Sequence, residues 1–348
     1  MPGLWFPQFH FNQHLDGKLS FRGALGKCAI FKKKGNQRMT YGNLDMGYIG
    51  FCMQMKELLN DEFGEHAEIL FREVTKNNGT RKKAMMIIEP GILAVPTFYM
   101  DELYSKMSGG MSAEDIARAV ICSYKQHRYD FDRLPEPLAQ KDSFLTCLRI
   151  KMINTETNEE LLKNVPSEPF LDLSVVTYVE IEVGEGMTGE AVVGYEDLSR
   201  MNVTPKEAMS AAKRNTFVKD PPRCETIERM IEEARTGLGG KFDFPYERET
   251  GGASVPLYVL TRTSGKYGAV CILITELFEE LSRRLDSGLM ILPSSVNELI
   301  VLADDSECPD FYMKQAVYEI NRSCLAPTEV LSDSVYRYSP ETHRIELI

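Results

Sequence analysis

Ser294 and Ser295 follow an apolar run near the C-terminus, and a serine pair closing a strand raises the question of a nucleophile. A nucleophile elbow needs Gly-x-Ser-x-Gly, because its glycines permit the strained turn that lifts the hydroxyl clear of the sheet. The context here is Pro293-Ser-Ser-Val-Asn297. A serine also needs a base within reach, and none of the five histidines, at 10, 14, 66, 127 and 343, has a local link to this turn. Ser295 and Glu298 stand instead at the spacing of a capping box, with Ser295 opening a short helical turn and Glu298 returning to its backbone. Further along, Arg322 falls near the end of a helix, where a guanidinium bonds free carbonyls. Left exposed, it could bind an anion instead. With Asp333 these residues complete the candidate set, Ser294, Ser295, Glu298, Arg322 and Asp333, for a site assembled from distant positions; none carries a catalytic role on local pattern alone.

Other chemistries fail on spacing. His10-x-x-x-His14 with Asp16 suits a metal only on a helix; it lacks the Glu of His-Glu-x-x-His and its surroundings do not read as helical. His127 closes a helix, where an imidazolium favours the dipole. Gly237-Leu-Gly-Gly-Lys241 is too short for a phosphate loop, carries Phe242 in place of the hydroxyl, and follows a helix rather than a strand. No Gly-x-Gly-x-x-Gly occurs, so a dinucleotide fold has no support. Glu180, Glu182 and Glu185, then Asp304, Asp305 and Glu307, read as solvated acidic stretches without calcium-loop spacing. Eight scattered cysteines, no two closer than 16 residues, spell neither a zinc site nor a redox pair. They read as buried small side chains of a reducing compartment. No metal or cofactor is implied.

The elements that must position these residues begin after residue 44. Residues 1–44 mix aromatics, Gly and Lys without a period and read as an arm or added hairpin. Phe51, Met55, Leu58 and Leu59 recur at helical spacing, with Gly64 as a stop. A strand at 66–75, the polar loop Lys76–Thr80 and a hairpin across Glu89-Pro90-Gly91-Ile92 follow. Ser112-Ala-Glu-Asp115 starts a helix whose inward face is Ile116, Ala119, Val120, Ser123 and Tyr124. Pro135 and Pro137 mark a linker, dividing a smaller lobe at 45–135 from a larger one at 140–348. In the second, 143–153 reads as a helix-to-strand join, 157–163 as a short helix, and 170–183 and 190–195 as paired strands. Thr204-Pro-Lys-Glu207 caps a helix, and another spans 225–235 ahead of a Gly-rich stretch at 236–255. Residues 256–302 read as a β-β-α-β unit. A helix at 309–322 then buries Met313, Ala316, Val317 and Ile320, and a hairpin pairs 335–338 with 344–347. The strands come in adjacent pairs joined by short turns, so the expected class is α+β, with antiparallel hairpins and helices on one face.

Several ordered stretches carry a resemblance: PLYVLT at 256–261, GAVCIL at 268–273, LMILPSSVNELI at 289–300, EINR at 319–322 and APTEVLSDSVYRYS at 326–339, with MSAEDI at 111–116, ELLKNVPSEPFLDLSVV at 160–176 and NVTPKEA at 202–208 upstream. Over about residues 45–348 the chain resembles the bacterial domain of unknown function 5688 family. In element order alone it is also similar to the YtpQ-like proteins. The resemblance implies an α+β fold and brings no catalytic residue with it.

Composition narrows the function classes. Lys and Arg total 40 against 51 Asp and Glu, for a net charge of −11 over 348 residues. A phosphate backbone is repelled by such a surface on average, so nucleic-acid binding is disfavoured outside local patches such as Lys32–Lys34 and Arg81–Lys83. The first residues lack a basic segment followed by an apolar one, and no apolar run is long enough to span a bilayer, which implies a soluble cytoplasmic protein without membrane contact. The reading favours a non-enzymatic binding or regulatory protein acting on a protein partner or small ligand. Its rivals are a hydrolase-like enzyme built on the candidate set and a nucleic-acid-associated protein.

Overall fold

The computed structural model describes residues 8–11, 46–90, 94–127, 140–184, 187–236, 256–293, 295–304 and 309–348. The fold is α+β. Contacts separate two compact units, one of Met1–Val74, Lys82–Pro135 and Glu182–Gly189, the other of Thr75–Arg81, Glu136–Ile181 and Glu190–Ile348.

In the first unit, but for the strand-end residues Thr75 and Arg81, β1 (Gln8–Phe11) precedes α1 (Met46–Phe63), β2 (Glu68–Thr75), β3 (Arg81–Ile88), β4 (Ala94–Tyr99), α2 (Met100–Ser108) and α3 (Ala113–His127). The sheet order is β1-β4-β3-β2, with β1 and β3 both antiparallel to β4. Alternate residues Met85 and Ile87 of β3 and Phe98 of β4 face the helices, where Phe51, Met55, Leu59, Ile116, Val120 and Tyr124 meet them in one buried cluster. That is the helical period meeting the strand period. The α3 face is shifted by one position, with Ala117 buried and Ala119 exposed. Ser112 Oγ accepts from Asp115 N (3.1 Å), forming the expected cap. His10 lies in extended β1, so its spacing to residue 14 is not helical. The turn at 91–93, the linker at 128–139, His14 and the Lys32–Lys34 patch lie outside the described residues.

The second unit holds, apart from residues 182–189, which count with the first, α4 (Lys141–Cys147), β5 (Leu148–Asn154), α5 (Glu159–Leu162), β6 (Ser167–Phe170), β7 (Leu173–Gly184), β8 (Met187–Val192), α6 (Tyr195–Arg200), α7 (Pro205–Lys219), β9 (Pro222–Thr226), α8 (Ile227–Thr236), β10 (Tyr258–Arg262), α9 (Thr275–Leu285), β11 (Leu289–Leu292), β12 (Leu299–Ala303), α10 (Asp310–Ser323), β13 (Tyr336–Ser339) and β14 (Arg344–Leu347). One sheet runs β5-β7-β6 with β8 added to β7; a six-stranded sheet runs β14-β13-β11-β12-β10-β9. Helix α7 starts at the expected capping box, Thr204 Oγ1 accepting from Glu207 N (3.2 Å) while Thr204 N donates to Glu207 Oε2 (2.8 Å). It packs on β5, where buried Thr216 Oγ1 accepts the N–H of Ile150 (2.9 Å).

Three expectations are corrected here. Residues Gly268–Leu273 are a 3-10 coil, not a strand, and β11 and β12 pair directly, so 256–302 is not β-β-α-β. The coil is pressed so closely on β10 that a Cβ on Gly268 would lie 2.2 Å from Thr261 Oγ1 and 2.3 Å from Asn297 O. Ala269, Val270, Cys271 and Ile272 are buried on all sides, which an apolar run alone cannot separate from a core strand. On α10, Val317 and Asn321 face inward while Ile320 is exposed, because the buried stripe runs i to i+4 through the asparagine. Among the described cysteines only Cys271 is buried; Cys122, Cys224 and Cys324 are exposed.

Candidate functional site

Four of the five residues singled out in the sequence form two separate pairs. Ser294 lies outside the described residues. Buried Ser295 bridges Val330 and accepts the N–H of Asn297 (3.0 Å), and the chain then extends into β12. The expected helical turn is absent because residues 299–303 are drawn into pairing with β10 and β11. Burial raises Glu298 above the usual carboxylate range, the Ser295 hydroxyl lowers it in part, and Glu329 adds a raising charge. Arg322 makes a two-pronged bond to Asp333 (3.0 and 2.9 Å), donates to Tyr318 O (3.2 Å) and lies 3.3 Å from the centre of the Tyr318 ring. Asp333 is pushed up by burial and brought below its ordinary value by the Arg322 and Asn321 bonds. This geometry closes a helix end and fastens the 332–334 turn.

Two further polar groups are fully engaged. The Asp172 carboxylate accepts from Ser332 Oγ (2.6 Å), Ser334 Oγ (3.0 Å) and Tyr336 Oη (2.5 Å). That accounts for the alternating hydroxyls of the 332–336 motif. Asn78, in the left-handed region at φ 58°, donates through Nδ2 to Pro327 O (2.8 Å) and Val330 O (2.7 Å), and Asn77 donates to Thr328 O (2.9 Å). Asn158 completes this clasp, accepting from Asn78 N (2.9 Å) and donating to Asn78 Oδ1 (3.0 Å). The polar loop at 76–80 is therefore a structural tie within the second unit.

One constellation is built differently. Lys151, on β5, stands opposite Val176 and diagonal to Tyr178 on β7. Its Nζ lies 5.6 Å from the Tyr178 ring centre and 5.0 Å from that of Tyr267, and the two rings meet edge to face at 5.2 Å. Tyr267 occupies the left-handed region at φ 48°. It is held there by its N–H to Asn297 Oδ1 (3.1 Å), while its hydroxyl donates to Glu190 Oε2 (2.7 Å). Asn297 O in turn accepts from Gly268 N (2.9 Å) and Thr261 Oγ1 (2.7 Å). The Ser-Val-Asn turn thus acts at a distance, by aiming a strained tyrosine at a lysine.

The charges around the rings are nearly all paired. Arg149 faces Glu180 (3.6 Å), Arg262 faces Asp220 (3.5 Å), and Lys266 faces Glu190 (3.8 Å). Lys151 Nζ has neither a hydrogen bond nor a carboxylate at ion-pair distance among the described residues, and it is not sealed from solvent. Burial of the side chain lowers its pKa from the ordinary lysine value, and Glu190 offsets part of this. Burial, then the charge of Glu190, raises Tyr267 and keeps its phenol protonated. Cys271, under the same strands, is pushed up to about 12 by burial. The arrangement offers one ammonium or amine, flanked by two rings, with a fixed carboxylate behind.

Sequence reasoning missed these residues. A lysine alternating with apolar neighbours in LRIKMIN is the ordinary pattern of a solvated strand face. The one available signal was the alternation of Tyr178 and Glu180 along the adjacent strand, which puts polar groups on a face otherwise rich in β-branched residues. Among the described residues, no group of three or more His, Cys, Asp or Glu could hold a metal ion. No helix there is long and apolar enough to cross a membrane.

Fold and site together define an α+β protein with an unpaired lysine set between aromatic rings. The chain belongs to DUF5688, a family of unknown function, which it matches over residues 48–340. No curated protein and no solved structure matches it.

Proposed function

We propose that the protein is a binding protein whose second unit takes a small ligand with an acidic group at Lys151. One observation carries this reading: Lys151 is the single cation of its cluster left without a counter-charge. Desolvating an ammonium without a counter-charge is costly, and the two ring contacts offset only part of that cost, so a fold that keeps one there has a use for it. A carboxylate or phosphate would supply the missing charge, and the rings of Tyr178 and Tyr267 would pack against the ligand's apolar part. Free, exposed Cys122, Cys224 and Cys324 fit a reducing cytoplasm. Partner proteins enter this reading only as carriers of such an acidic group.

The test is thermal unfolding at constant ionic strength, with chloride exchanged for acetate or inorganic phosphate. A ligand that binds only the folded state raises the midpoint. The wild type should gain stability and Lys151→Met should not. An equal response in both, or none in either, overturns the reading.

A further inference from the structure

We propose that Lys151 condenses reversibly with the carbonyl group of a small aldehyde or ketone, forming an imine. This deepens the reading above, resting on the same site and naming the ligand's reactive group. Three features support it. The amine has no hydrogen bond and no contacting carboxylate to hold its lone pair as a proton carrier. The Tyr178 and Tyr267 rings flank it on two sides and give the apolar part of a carbonyl compound a surface to pack on. Glu190, fixed by the Tyr267 hydroxyl and Lys266, stands at the edge of the ring that flanks the amine, outside ion-pair distance of it.

The step balances without a further reactant. The neutral amine of Lys151 attacks the carbonyl carbon, a C–N bond forms as the C=O π bond breaks, and one of the two nitrogen protons passes to the carbonyl oxygen. Glu190 accepts the second nitrogen proton and returns it to the departing hydroxyl, which leaves as water as the C–O bond breaks. The product is a C=N bond, and hydrolysis reverses the sequence. A desolvated lysine is the kind of amine that performs this chemistry.

The experiment treats the full chain with butyraldehyde or glyoxylate at less than one equivalent. Cyanoborohydride reduces the imine, and peptide masses then locate the label. The label should concentrate on the peptide bearing Lys151, several-fold above exposed lysines such as Lys163 and Lys314. Glyoxylate should surpass butyraldehyde, and folded Lys151→Met should show only the scattered background. Labelling that follows exposure and spares Lys151 overturns the imine. If acetate or phosphate still stabilises the wild type and not Lys151→Met, the acid-binding reading survives that loss; if neither does, both fall.

Discussion

Asp172 and Lys151 are charged groups of the same unit, treated in opposite ways. Three hydroxyls converge on Asp172 and engage both of its carboxylate oxygens. Lys151 is flanked by two aromatic rings and given no hydrogen bond and no counter-charge at ion-pair distance. Both are served by the ordered C-terminal motifs: SDSVY supplies the donors to Asp172, and SSVN aims Tyr267 at Lys151. Completed polar groups stabilise a fold, whereas incomplete ones cost it something. On the reading proposed above, the contrast separates a residue kept for architecture from one kept for use.

The hardest blow to this contrast is Gly268→Ala. The added methyl would overlap Thr261 and the Asn297 carbonyl, which is backbone and cannot swing away. A loss of about 3 kcal/mol or more is expected, at the upper end of overpacking costs, with the Lys151 site lost as well; urea denaturation measures it. Near-normal stability would mean the 268–273 coil is not pressed against β10.

Asp172→Ala should cost about 2–4 kcal/mol, because it strands buried Ser332 and Tyr336 hydroxyls together. A loss indistinguishable from zero would remove Asp172 from the architectural side. Lys151→Met should go the other way, gaining on the order of 1 kcal/mol at neutral pH by removing a desolvated ammonium. Since the folded protein lowers the lysine pKa from 10.5, charging costs the native state most below the folded value. The variant's advantage should therefore shrink as pH rises toward 10.5. An advantage constant with pH would point to packing instead.

Glu298→Gln should stabilise by less than about 1 kcal/mol at neutral pH. Burial raises this carboxyl above 4.5, so the charged form is penalised, and the gain should shrink as pH falls through the folded value and vanish well below 4.5, where both states are protonated. A gain that persists in acid would contradict that cause. Arg322→Gln should have the smallest effect, a slight loss that salt erases, since the Asp333 pair is half exposed. A large, salt-independent loss would place Arg322 beside Asp172.

Elements with local punctuation were readable in the residues. Helix α7 announces itself through Thr204-Pro-Lys-Glu, and α1 through Phe51, Met55 and Leu59. The closing hairpin shows in its turn residues at 339–342. Strand β9 was not visible, since Pro-Arg-Cys-Glu-Thr has no alternation and becomes a strand only by pairing with β10. GAVCIL has strand composition, but tertiary pressure at Gly268 coils it. The site was hidden for a related reason: Lys151, Tyr178, Glu190 and Tyr267 lie on different segments, and none is unusual in its own. Ser295, Glu298, Arg322 and Asp333 drew notice because they are locally patterned, and local patterning serves turns and helix ends.

The Asn77–Asn78 clasp bears on how the molecule can be dissected and made. Its donors lie far upstream of the carbonyls at 327–330, so a fragment starting at residue 136 would leave those carbonyls and the Asn158 side chain without their donors. During synthesis the loop emerges from the ribosome some 250 residues ahead of its partners. The later half of the chain thus matures only around a piece of the earlier half, and cutting at the proline-rich linker would yield two incomplete products.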